Sequence, residues 1–182
     1  MQLIAGDQII PFEVKDIFGN PISTDDYKGE KLMIAFFRYA ECLFCNLRIH
    51  QLMEHSLEFE EKGLKLIAIF QSPVEDIRKN LGAANPLFTV VSDPKRLLYA
   101  KYGIEYNTAK LLISYLRWHK VLQAFIRGHY IKRGAGSTKI VPADFLINPD
   151  QTIHTAFYGG DVSEHLAISK IQRFINQPTI NV

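Results

Sequence analysis

The 182-residue sequence is short of several things, and each shortage narrows what the chain can be. It has two cysteines, Cys42 and Cys45, and no more, so the multi-bridge framework that staples small secreted domains is excluded. No apolar run approaches the roughly 18 residues of a membrane span. Residues 1–7 lack the basic region and apolar stretch of a secretory leader. A cytoplasmic protein without a membrane span is the expectation. Charge of one sign is also missing: the formal net charge is +2, against nucleic acid as the main partner. There is no internal repeat and no low-complexity tract. Hydrophobic residues make up 47% and charged residues 22%, which is ordinary globular usage and fits neither a disordered nor a fibrous chain. A chain of this length forms one domain with a real core, and the expected domain is 1–182.

What is present is concentrated in residues 36–47, where an apolar run ends in a loop and a Cys-x-x-Cys opens a helix. Two thiols so spaced can close a disulfide between them. The unpaired N–H groups of a helix N-terminus favour a thiolate. In a reducing compartment such a pair is catalytic or metal-binding rather than a permanent staple.

Around that pair the chain reads as alternating strands and helices. Residues 12–17 alternate apolar and charged, a half-buried strand before a turn at Phe18-Gly19-Asn20-Pro21. Residues 32–37 form an unbroken apolar run, a strand covered on both faces. A helix runs from Cys42, with Leu43, Leu47, Leu52, Leu57 and Phe59 on its apolar side, to a glycine stop at Gly63. Residues 64–70 are a second buried strand, so the unit is a parallel βαβ with Cys42 at the carboxyl end of its first strand. Ser72-Pro73 caps a helix to about Leu81, residues 87–91 are a third strand, and Asp93-Pro94 caps a helix over residues 95–102. Residues 141–147 and 152–158 flank the turn Asn148-Pro149-Asp150-Gln151 as a hairpin, and a closing helix starts at Ser163.

The stretch at about 106–140 breaks the alternation. It carries Lys110, Arg117, Lys120, Arg127, Lys132, Arg133 and Lys139 and no Asp or Glu, with Leu111, Leu112, Tyr115, Leu116, Leu122, Phe125 and Ile126 at helical spacing. It reads as an inserted basic amphipathic helix followed by a glycine-bearing loop. Its stripe packs on the domain or on a second subunit, so a homodimer is among the expectations; the helix is also the natural grip of a non-catalytic binding module.

The order βαβ, helix, strand, hairpin, helix, with Cys-x-x-Cys opening the first long helix and a proline before the hairpin, is that of thioredoxin. Phe36-Phe37-Arg38, Cys42-Leu43-Phe44-Cys45-Asn46-Leu47, residues 142–147 and the opening Gly6-Asp7 with Pro11-Phe12 resemble the peroxiredoxin-like proteins of the alkyl hydroperoxide reductase and thiol-specific antioxidant family. The resemblance implies an α/β, thioredoxin-like fold: a mixed central sheet flanked by helices, with a helical insertion before a cis-proline hairpin. It implies a thiol-dependent oxidoreductase that reduces a protein disulfide or a peroxide without a cofactor, recycled by a thiol reductant such as a thioredoxin or a low-molecular-weight thiol. Cys42 would be the nucleophile and Cys45 the resolving thiol. Arg38 stands to support the thiolate, or else is a solvated loop charge. Glu41, directly before Cys42, would act against it if it lies close, so the sequence does not sign the net shift. Tyr39, Phe44 and the pair Val141-Pro142, with Pro142 read as cis, complete the expected surroundings. Typical peroxiredoxins have threonine and proline where Tyr39 and Ala35 stand, so peroxide is expected to be the slower substrate. The plain alternative for Cys42 and Cys45 is a pair of small core residues. Metal is not expected, since the pair supplies two of four zinc ligands and His50 and His55 do not complete a finger spacing.

Overall fold

The computed structural model describes residues 1–82, 86–104 and 140–178. A small antiparallel ribbon of β1 (Glu13–Lys15) and β2 (Pro21–Ser23) precedes a turn of 3-10 helix at Thr24–Tyr27 and the five-stranded sheet. That sheet comprises β3 (Lys31–Phe36), β4 (Leu64–Phe70), β5 (Thr89–Ser92), β6 (Ala143–Ile147) and β7 (Ile153–Tyr158), in the order β5-β4-β3-β6-β7. β3, β4 and β5 run parallel, while β6 and β7 are antiparallel to their neighbours, so the sheet is mixed. This is the thioredoxin-like α/β architecture expected.

β3 is central and wholly buried, which is why its sequence is one apolar run. Successive side chains of a strand point to opposite faces. Met33 and Ala35 accordingly enter one core layer, followed by Phe37, and Leu32, Ile34 and Phe36 the other. The first layer is closed by α1 (Leu43–Glu54), α2 (Ser56–Glu61), α3 (Val74–Leu81) and α5 (Ile168–Ile175) through Ile49, Leu52, Phe59, Ile77, Ile171 and Phe174. The second is closed by α4 (Leu97–Lys101), with Leu98 and Tyr99, and by Leu3, Ile9, Phe12 and Tyr102.

Several boundaries differ from expectation for local reasons. The helix from Cys42 to Gly63 is two helices broken at His55, where the Ser56 hydroxyl donates to the Met53 carbonyl (2.8 Å). After the break the helical phase shifts, leaving Leu57 59% exposed while Phe59 stays buried. Ser72 does not cap α3, which starts after Pro73. The helix expected from Lys95 begins at Leu97 with Arg96 rather than Asp93 at its N-cap position, although the Asp93 carboxylate accepts from the Leu97 and Leu98 N–H groups at 3.0 and 2.8 Å. The closing helix begins at Ile168 rather than Ser163, whose hydroxyl donates to the Asp161 carboxylate (2.6 Å) in a tight turn. The Val141–Pro142 bond is trans, not cis. Trans is the ordinary state of a prolyl bond, with only about 5–6% cis in folded proteins. The inserted basic helix and loop, apart from Ile140, lie outside the described residues.

Candidate active site

Chain direction places the site. β3 and β4 run parallel, so Phe36 and Phe70 lie at one end of the sheet; β6 is antiparallel to β3, and the pairing of Phe36 with Ala143 brings Pro142 to that same end. The loop from Phe37 to Cys42 leaves there, pinned at each step. The Phe37 N–H donates to the Ile69 carbonyl (2.8 Å) and the Gln71 N–H to the Arg38 carbonyl (3.1 Å). The Ala40 N–H donates to the Ser72 hydroxyl (2.9 Å), and the Cys42 N–H turns back to the Tyr39 carbonyl (3.0 Å). Ser72 thus holds the cysteine loop rather than its own helix.

Cys42 occupies the N-cap of α1 and Cys45 its first turn. Both are free thiols that approach to 3.2 Å. Cys42 was expected nearer solvent, but exposures of 2% and 1% do not distinguish them. Electrostatics does. The Cys45 thiol donates to the Cys42 sulfur; together with the Arg38 guanidinium and the N–H groups of Cys45 and Phe44, this outweighs burial and pushes Cys42 down to about 6. Burial and the neighbouring Cys42 thiolate push Cys45 well up. A proton shared by the pair therefore resides on Cys45, and Cys42 is the thiolate.

Arg38 is not a solvated charge. It is 4% exposed, its Nη1 donates to Cys42 Sγ at 3.3 Å, and its guanidinium lies 5.1 Å from the Tyr39 ring centre. Glu41 is half-buried, and its Oε2 is shielded from solvent without a hydrogen-bond partner. Phe44, between the cysteines, packs on the core from the first turn of α1. Val141 and Pro142 are buried, and the Pro142 carbonyl accepts from the Gly159 N–H (2.9 Å). A Cβ at Gly159 would fall 2.6 Å from the Glu164 carbonyl, so that turn admits only glycine. Among the described residues no group of three His, Cys, Asp or Glu side chains could hold a metal ion.

Sequence reading passed over a second polar group on the same face of the sheet. Asp144, fully buried on β6 opposite Ala35, accepts from His165 Nδ1 (3.1 Å) and the Leu166 N–H (2.6 Å), with Arg48 Nη2 at 3.9 Å. Burial alone would raise its carboxyl, but His165, Arg48 and the Leu166 N–H hold it below the ordinary value. The visible signal was a charged residue inside the apolar strand Ala-Asp-Phe-Leu-Ile.

Residues 5–156 match the model of the AhpC/TSA family. A Mycobacterium tuberculosis protein provisionally named a peroxiredoxin is 26% identical over 162 residues, 89% of this chain and 96% of that protein. Among solved structures, peroxidoxin BcpB from Mycobacterium tuberculosis superposes with a TM-score of 0.69 at 15% identity, covering 96% of this chain and 97% of that one. The thioredoxin domain of a thiol-disulfide oxidoreductase from Bacteroides vulgatus gives 0.57 at 17% identity, covering 96% and 100%.

Proposed function

The chain belongs to the AhpC/TSA family, and from that membership we propose that Cys42 and Cys45 form a catalytic redox pair that reduces a disulfide or a peroxide. The observation that carries this reading is the asymmetry of the pair: Arg38 and the Cys45 thiol both donate to Cys42, which is held at about 6 while Cys45 is held well up. A thiolate on one sulfur and a proton on the other is the state a two-step exchange needs.

With a disulfide, Cys42 Sγ⁻ attacks one sulfur, forming a mixed disulfide and releasing the other sulfur as a thiolate that takes up a proton. Cys45 then loses its proton and attacks Cys42 Sγ, forming the Cys42–Cys45 disulfide and releasing the second substrate thiol. Two electrons pass from the pair to the substrate. With a peroxide, Cys42 Sγ⁻ attacks the terminal oxygen, becoming a sulfenic acid as the leaving oxyanion is protonated; Cys45 then displaces water from it to give the same disulfide. A thioredoxin or a low-molecular-weight thiol restores the dithiol, a cycle suited to a reducing compartment such as the cytoplasm.

Cys42→Ser is expected to abolish turnover of both hydrogen peroxide and insulin disulfides, and Cys45→Ser to accumulate mixed disulfides visible by non-reducing mass spectrometry. Unchanged turnover in Cys42→Ser would remove the proposal.

A further inference from the structure

Arg38 keeps its Nη1 at 3.3 Å from the Cys42 sulfur only while the backbone beneath it keeps one orientation, because the guanidinium ends a long side chain with several rotatable bonds. Main-chain contacts supply part of that constraint. The Arg38 carbonyl accepts from the Gln71 N–H (3.1 Å), and the Ser72 hydroxyl fixes the Ala40 N–H on the cysteine side. On the strand side the constraint comes from a side chain 62 positions further along the chain. The Tyr99 hydroxyl, carried by α4, lies 2.5 Å from the Phe37 carbonyl and 2.9 Å from the Ile69 carbonyl.

A hydroxyl has one proton to donate. The Ile69 carbonyl already accepts the Phe37 N–H (2.8 Å), so the Tyr99 proton goes to the nearer acceptor, the carbonyl of the Phe37–Arg38 peptide. That peptide is where the chain leaves β3 and turns toward the cysteines. Packing does not account for the hydroxyl. Tyr99 is 1% exposed, and its ring meets Phe36 edge to face at 5.1 Å, a contact that a phenylalanine would make as well. A buried hydroxyl must find a partner, and the one it takes is the peptide that orients Arg38. Burial, with the charges of Cys45 and Asp93, pushes the phenol well above its ordinary value, so Tyr99 stays a donor throughout the range in which Cys42 titrates.

We propose that Tyr99 is a positioning residue for the nucleophile: its hydroxyl fixes the Phe37–Arg38 peptide, and through it the Arg38 guanidinium against Cys42 Sγ. It acts through Arg38 rather than on the sulfur. This role rests on the reading of Cys42 as the reactive thiolate and adds what keeps its cation in place.

The test is a double-mutant cycle read as the pH midpoint of iodoacetamide labelling at Cys42, in the wild type, Tyr99→Phe, Arg38→Met and the double variant, each shown to be folded by circular dichroism. Tyr99→Phe keeps the ring and removes one oxygen. It is expected to raise the midpoint by about half a pH unit, less than the roughly one unit expected of Arg38→Met, because it loosens the cation without removing it. In the Arg38→Met background the same substitution is expected to leave the midpoint where it is. A lowered melting temperature in Tyr99→Phe with an unmoved midpoint would make the hydroxyl merely structural and overturn the proposal. An equal shift with and without Arg38 would overturn it too, since the phenol would then act on the sulfur directly. In both cases the thiolate reading of Cys42 stands. A wild-type midpoint at the ordinary value of a free thiol overturns that reading and this role together.

Discussion

At the scale of the residue, the chemistry is set by which sulfur keeps the proton. Cys42 and Cys45 are equally buried, so solvent cannot choose between them; the donors aimed at Cys42 do. Burial lowers the absolute rate of alkylation, but the pH midpoint still reports the thiolate. In the wild type, iodoacetamide labelling of Cys42 is expected to rise with pH through a midpoint of about 6. Removing the guanidinium in Arg38→Met, with the shape of the chain roughly kept, is expected to move that midpoint up by about one pH unit, because an opposite charge at this range favours the ionised form. A midpoint that stays in place would show that Arg38 is structural. Cys42 itself was legible in the sequence, since two cysteines opening a helix after a buried strand are a local pattern. Arg38 was legible only as a candidate, because nothing in Phe-Phe-Arg-Tyr says whether the side chain turns inward.

At the scale of the element, strands were read more accurately than helix ends. β3 and β4 are uninterrupted apolar runs because both faces are covered, and a run of that kind announces itself. The break at His55, the late start of α5 and the partner of Ser72 depend on hydrogen bonds whose outcome local preference does not decide. Asp144 belongs here too, because it ties β6 to α1 and to the segment before α5. Asp144→Ala leaves Arg48 as a buried charge without its counter-ion and is expected to cost about 3 kcal/mol in urea denaturation. The pH dependence has a definite sign: the folded carboxyl lies below its ordinary value, so its contribution is complete above that value and is lost as pH falls through the lowered one. The acid limb of the stability profile should therefore flatten in Asp144→Ala.

At the scale of the whole molecule, the sheet divides the protein into two cores with different duties. The layer of Met33, Ala35 and Phe37 carries the cysteines and lies on the Asp144 side of the sheet, whereas the layer of Ile34 and Phe36 holds an aromatic cluster with Tyr99, Tyr102 and Phe145. Ile34 is fully buried in the second layer, so Ile34→Ala is expected to cost about 3 kcal/mol in stability while the Cys42 labelling midpoint remains near 6. A midpoint shifted by that substitution would mean the two layers are energetically coupled through β3.

The sequence by itself determined the alternation of elements, the central buried strand and the pair of thiols at a helix start, because each is written in residues a few positions apart. The inward turn of Arg38, the capture of Ala40 by Ser72 and the joining of Asp144 to Arg48 and His165 were decided only in the tertiary structure. The last of these joins residues from opposite halves of the chain. Hydrophobic periodicity is a local property of a chain, whereas the partner of a buried charge depends on which distant segment the fold lays against it.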